Sequence, residues 1–177
     1  MQYEKQILEK ALLELASGNK EGLCTIFEAL GRLIYSVALG ITGSREDSED
    51  VLQETMVELL RCAHTYKKGT NPRAFILTVA RHNALDSVRK RREALSLDEA
   101  MTVMDDEISD VAPLAAELLS QLDDGEREII LLRIYGELSY LEIAKIMGIS
   151  VFAAQKRYQR VIKKLKNIAE VFGDEEK

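Results

Sequence analysis

The sequence predicts an all-α protein: two small helical domains joined by a flexible linker, the C-terminal one containing a helix-turn-helix. Three observations carry that reading. The 177 residues hold only two prolines and few aromatics, with Leu, Ile, Ala, Glu and Lys abundant, the residue types that form helices best. Apolar residues recur at three- and four-residue spacing through most of the chain. Between roughly Glu93 and Ala112 that rhythm lapses into Asp, Glu and Ser with scattered Leu, Met and Val. The expected boundaries are a helical domain over 1–95, a linker over 96–112, a second domain over 113–170 and an acidic tail over 171–177.

Taken in order, residues 3–16 and 20–40 read as amphipathic helices broken at Ser17-Gly18-Asn19, the second ending near Gly40. A turn at Thr42-Gly43-Ser44 leads into SREDSEDVLQETMVELLRCAH. Ser44 or Ser48 caps its start, where Glu46, Asp47, Glu49 and Asp50 suit the positive end of a helix dipole. Val51/Leu52, Met56 or Thr55, and Leu59/Leu60 make its buried stripe. Asp50, Gln53, Glu54 and Glu58 project elsewhere, as a solvated face or as a docking face for a basic partner. A polar loop, Tyr66-Lys67-Lys68-Gly69-Thr70-Asn71, then opens NPRAFILTVARHNALDSVRKRR. Pro72 fits a first helical turn. Phe75/Ile76 with Val79/Ala80 form one apolar seam, and Leu77 with Ala84 and Val88 a second, so this helix is gripped by two neighbours. Its last turn is Arg89-Lys90-Arg91-Arg92.

The linker of about 17 residues spans roughly 60 Å fully extended and about 20–25 Å on average if flexible. That separates two modules by one to two duplex turns of about 34–36 Å. Past Pro113, Leu114, Leu118/Leu119 and Leu122 make a helix, and Asp123-Asp124-Gly125 caps the next, which carries Ile129/Ile130, Leu132 and Ile134 and stops at Gly136. Ser139 with Glu142 fits a capping box before the short helix YLEIAKIM. Gly148 permits a turn with positive φ, and Ser150 caps VFAAQKRYQRVIKKLK. Val151, Ala154, Tyr158, Val161 and Leu165 form that helix's apolar seam. Phe152, Ala153, Lys156, Arg160 and Lys163, with Arg157 beside them, form an almost purely cationic opposite face. Such a helix presents donors to base edges and phosphates in a major groove.

Composition excludes several classes. Hydrophobic content of 46% with mean hydropathy −0.13 fits a soluble globular chain. No apolar run approaches the ~20 residues of a membrane span, and no secretory signal is evident, so a cytoplasmic protein without membrane insertion is expected. Cys24 and Cys62 match no metal or redox spacing and are expected as reduced, buried side chains. His64 and His82 lack ligand-spaced partners, so no metal, cofactor or catalytic set is expected. The net charge of −6 argues against nucleic acid until it is resolved along the chain. Residues 1–60 carry −6 (5 cations, 11 anions) and 61–95 carry +7 (9 and 2). Residues 96–128 carry −10 (1 and 11), 129–168 carry +6 (8 and 2), and 169–177 carry −3 (1 and 4). Two basic islands among acidic stretches are the footprint of two DNA-facing surfaces.

These motifs resemble the sigma-70 family of bacterial RNA polymerase sigma factors, specifically the extracytoplasmic-function group, over nearly the whole chain. EDVLQETMVELL looks like the acidic helix that docks on the polymerase clamp, which implies polymerase contacts by Asp50, Gln53 and Glu54. NPRAFILTVARHNALDSVRKRR looks like the element that opens and reads the −10 region. The implied DNA contacts on that side are Lys67, Lys68, Asn71, Arg73, Arg81, Asn83, Arg89, Lys90, Arg91 and Arg92. The loop Lys67–Asn71 would capture a base flipped from the non-template strand, a step needing a few kcal/mol of unstacking. Tyr66 and Phe75 are candidate stacking surfaces, Phe75 equally a core residue. EREIILLRIYGELSYLEIAKIMGIS and the helix after it look like the module that reads the −35 element, implying contacts by Phe152, Lys156, Arg157, Arg160 and Lys163. Two departures stand out: Phe75 replaces a usual tryptophan, and Phe152-Ala153-Ala154-Gln155 replaces a usual Gly-Thr-Val-Lys. The implied partners are core RNA polymerase, promoter DNA and an anti-sigma protein, with no cofactor. The alternatives are a stand-alone helix-turn-helix regulator binding duplex DNA and a helical protein-interaction adaptor.

Overall fold

A computed structural model of the chain describes residues 2–95 and 121–175, the side chains of Gln2, Leu95 and 169–175 excepted. Every regular element among them is helical: α1 (Gln2–Ala16), α2 (Glu21–Thr42), α3 (Arg45–Cys62) with a short 3-10 turn at Ala63–Thr65, and α4 (Pro72–Leu95). The second set is α5 (Asp124–Ile130), running into a π turn at Leu131–Tyr135, then α6 (Tyr140–Met147) and α7 (Val151–Glu175). The chain divides into two compact units, Met1–Met104 and Asp105–Lys177. The expected linker at 96–112 lies outside the described residues, as does the helix expected over Leu114, Leu118/Leu119 and Leu122 except for its last position, where Leu122 is buried but not helical. Helix α7 continues through Glu175, so the backbone of 171–175, expected as tail, is helical.

In the first unit α2 is central, packed on α1, α3 and α4. Its buried stripe of Gly22, Ile26, Leu30, Ile34, Val37 and Ala38 keeps the helical period that marks a core-facing side. By length and composition α2 is long and apolar enough to cross a membrane, a test that the core helix of a bundle also meets. Here that apolar stripe faces three neighbouring helices. Ala38, Val51 and Ala84 form a fully buried cluster where α2, α3 and α4 converge. Helix α2 ends at Thr42, two residues later than expected, with Gly43 left-handed at φ 64° and its N–H bonded to Leu39 O. Ser44 caps α3 by accepting from Asp47 N. Ser48 is instead buried against Thr42, their hydroxyls 2.9 Å apart. Across this corner lies Arg91 of α4, donating to Asp47 Oδ2 at 2.6 Å and to Thr42 O at 2.8 Å. The far end of the basic helix is thereby tied to the α2–α3 turn.

In the second unit all three predicted caps are present. Asp123 and Ser139 each form a full capping box, with Glu126 and Glu142, and Ser150 accepts from Ala153 N. Gly148 turns at φ 67°. Ile143, Ala144, Ile146 and Met147 of α6 are buried, as are Ala154 and Val161 of α7. Val151 and Ile134, expected inside, are exposed: Val151 opens α7 and Ile134 lies in the π turn, where five-residue spacing rotates it off the buried side. Tyr140 packs edge-on against Tyr158 at 5.8 Å, with the Arg133 guanidinium 4.7 Å above its ring.

Helix α1 crosses α2 closely enough that a Cβ on Gly22 would sit 2.3 Å from Ala11 O. Gly22→Ala must push the two helices apart and should destabilise the first unit by about 1–3 kcal/mol, read as a lower urea midpoint with helical circular dichroism retained.

Candidate nucleic-acid interface

The outward side of α3 is continuous. Asp50, Gln53 and Glu54 are all exposed, and Val57 and Leu60 extend the same face at 49% and 40% exposure. Inward, Val51, Thr55, Met56 and Leu59 are buried. Leu60, expected in the stripe, is therefore on the surface, and the face is acidic with an apolar end.

The loop before α4 is preformed. Thr70 N bonds to Lys67 O at 3.1 Å, with Gly69 at φ 87°, a turn whose third residue needs the left-handed region and hence glycine. Tyr66 is only 8% exposed. Its hydroxyl is within bonding distance of Thr70 O and Glu9 Oε1, both 3.1 Å, and its ring meets Phe75 edge-on at 5.4 Å. Tyr66 thus supports the loop from beneath and has no face open for stacking, a correction to its expected role. Lys67 and Lys68 stay exposed on top. Asn71 is half-buried, and its Oδ1 accepts from Arg73 N at 3.1 Å and Ala74 N at 3.4 Å, so it caps α4 while standing at the loop's edge.

Glu9, on α1, was not found by sequence reasoning. Its Oε1 also accepts from Gly69 N at 2.5 Å. That backbone bond holds its carboxyl below the ordinary range, desolvation opposing and Tyr66, Lys68 and Lys5 assisting. The resulting stability is present above the ordinary glutamate pKa and is lost as pH falls through the lowered one. No local pattern connects residues sixty apart.

The −10-side residues divide. Arg89, Lys90 and Arg92 are exposed at the end of α4; Arg89 pairs with Asp86 at 3.2 Å, and Lys90 lies 4.0 Å from Glu54. Arg81 is half-buried. Three others make contacts within the first unit. Arg73 is paired with Glu4 of α1. Asn83 donates to Thr55 Oγ1 at 3.3 Å, joining α4 to α3. Arg91 clamps the α2–α3 corner. Cys24, expected buried, is exposed, and Cys62 is half-buried, its thiol pushed up by desolvation and by Glu58.

On α7 the cationic face stands out from the fold: Phe152, Lys156, Arg160 and Lys163 are exposed, Phe152 at 67%, with the Lys156 ammonium 5.5 Å from its ring centre. Arg157 is half-buried, its guanidinium so close to Gly125 that a Cβ there would meet it at 3.0 Å. Lys164, one residue past this face, turns inward to Glu126 at 2.8 Å.

Residues 26–94 match the family Sigma-70 region 2 and residues 114–165 the family Sigma-70, region 4. The extracytoplasmic-function RNA polymerase sigma factor SigK of Mycobacterium ulcerans (strain Agy99) is 27% identical over 173 residues, covering 90% of this chain and 92% of that protein. SigK of Mycobacterium bovis (strain BCG / Pasteur 1173P2) is 24% identical over 176 residues, covering 93% and 94%. Among solved structures, CnrH in complex with the cytosolic domain of CnrY matches with TM-score 0.67 at 23% identity, over 93% of this chain and 98% of that one. The sigma factor RpoE in complex with the anti-sigma factor NepR, from Bartonella quintana, matches with TM-score 0.71 at 22% identity, over 81% and 95%. With both regions matched in order on two helical units, and with relatives of one kind spanning most of its length, the chain belongs to the sigma-70 family of RNA polymerase sigma factors, in the extracytoplasmic-function group.

Proposed function

We propose a division of labour for this sigma factor, whose family binds core RNA polymerase and promoter DNA and directs transcription initiation. Helix α3 docks on polymerase through Asp50, Gln53 and Glu54, with Val57 and Leu60 adding apolar contact. The Lys67–Asn71 loop takes a base from the opened non-template strand, with Lys67, Lys68, Arg89, Lys90 and Arg92 on phosphates. Helix α7 enters the major groove of the −35 element with Phe152, Lys156, Arg160 and Lys163. Sigma factors are not enzymes as a family; this chain is read as having no catalytic step of its own, bond formation belonging to polymerase. It acts in the cytoplasm, where that polymerase works. A regulatory protein covering these faces is a further proposed partner, as the solved relative RpoE has one in NepR.

The observation that carries the reading is α7, where the buried seam of Ala154 and Val161 turns three cations outward at four- and three-residue steps. A helix packing only on protein has no need of that comb. A stand-alone regulator is not favoured, because it leaves the region 2 match without a task.

Each of Lys156→Ala and Arg160→Ala should weaken −35 duplex binding and shallow its salt slope by about one unit; unchanged slopes would place the DNA face elsewhere. Asn71→Asp keeps the cap oxygen but removes the amide donor. It should retain polymerase affinity and lower open-complex yield by permanganate footprinting, and a normal yield would remove Asn71 from base capture. For Phe152 the fitting partner is a thymine methyl. Replacing the contacted thymine by uracil should weaken wild-type binding about fourfold, the worth of one buried methyl at ~0.8 kcal/mol, and leave Phe152→Ala unaffected in the same competition assay.

A further inference from the structure

Helix α1 precedes the stretch that matches Sigma-70 region 2, which begins at residue 26, yet it reaches the strand-capturing loop at three places. Glu9 Oε1 accepts from Gly69 N and from Tyr66 OH. The 3-10 turn just before the loop packs on α1. Arg73, in the first turn after the loop, is paired with Glu4. A carboxylate under a loop meant for phosphate is electrostatically adverse unless its oxygen has a structural use. Here both bonds fall on one oxygen, and Lys5 and Lys68 lie close enough to lower its pKa.

We propose that Glu9 is a positioning residue for base capture: it holds the Tyr66–Asn71 loop in its receptive form before DNA arrives, with α1 as the brace. The physical gain is preorganisation. A loop of this length left free must be ordered at the moment of binding, which weakens capture. Glu9 fixes the loop at Gly69, the one residue whose left-handed backbone allows the turn, and at the Tyr66 hydroxyl beneath it. The loop's own bonds, Thr70 N and Oγ1 to Lys67 O, shape the turn but do not anchor it to the bundle. Glu9 does.

The inference rests on the proposed capture of a base by this loop, and one experiment separates the two. Holoenzyme assembled from full-length protein and core RNA polymerase is titrated with a single-stranded −10 oligonucleotide, intact or with one abasic site moved along it. Wild type should lose affinity at one abasic position. Glu9→Ala should bind the intact strand about 3- to 10-fold more weakly, the scale of one ordinary hydrogen bond lost, and should equal wild type on the strand abasic at that position. Glu9→Gln, whose amide oxygen can accept the same two bonds, should stay within about twofold of wild type. Tyr66→Phe, which keeps the ring packing and loses only the hydroxyl, should show a smaller loss with the same abasic dependence, and it carries the test if Glu9→Ala fails to fold. Wild-type affinity of Glu9→Ala on the intact strand, or an equal loss on intact and abasic strands, would overturn the positioning role. If wild type distinguishes no abasic position, base capture by this loop falls first, and the role of Glu9 with it.

Discussion

The close convergence of α2, α3 and α4 on Ala38, Val51 and Ala84 is the constraint from which the first unit's functional geometry follows. All three residues are fully buried there, with Ile41 packed against them, and interiors at native packing density do not tolerate an added methylene cheaply. Once α4 is seated, its start follows the loop, its C-terminal part exposes Arg89, Lys90 and Arg92, and the outer side of α3 stays exposed. The Arg91 bonds to Asp47 and Thr42 O secure the same arrangement from the other end. Without them a run of like charges would tend to fray the final turn.

Most of the fold was legible because its signals are local. Apolar spacing located all seven described helices, and Ser44, Ser139, Ser150 and Gly148 act as caps and turn where their chemistry predicted. Helix ends were less legible: the left-handed Gly43, not Gly40, stops α2. The π turn at Leu131–Tyr135 was invisible, since a single widened turn leaves the apolar pattern nearly intact while rotating Ile134 outward.

The site was legible as charge and illegible as partnership. A sequence shows that Arg73, Arg91 and Lys164 are cations, but it cannot show that Glu4, Asp47 and Glu126 await them at separations of 69, 44 and 38 residues. The bond from the Asn83 amide to Thr55 on the neighbouring helix was hidden for the same reason. On α7 the reading held better. There the helical period alone decides which cations sit opposite the apolar seam, and only Arg157 turned back toward Gly125. Basic islands therefore overstate the charge on offer to DNA, because part of each is spent on internal cohesion.

Glu126 has a reach beyond its own helix. One of its oxygens, Oε2, accepts from Asp123 N at 3.2 Å and from Lys164 Nζ at 2.8 Å, so the atom that finishes the first turn of α5 also sets where the distal half of α7 rests. Helix α7 is thus tied to a buried glutamate of α5 and does not rest on its apolar seam alone. Promoter preference in such a module can drift through its interior, with every groove-facing residue left unchanged.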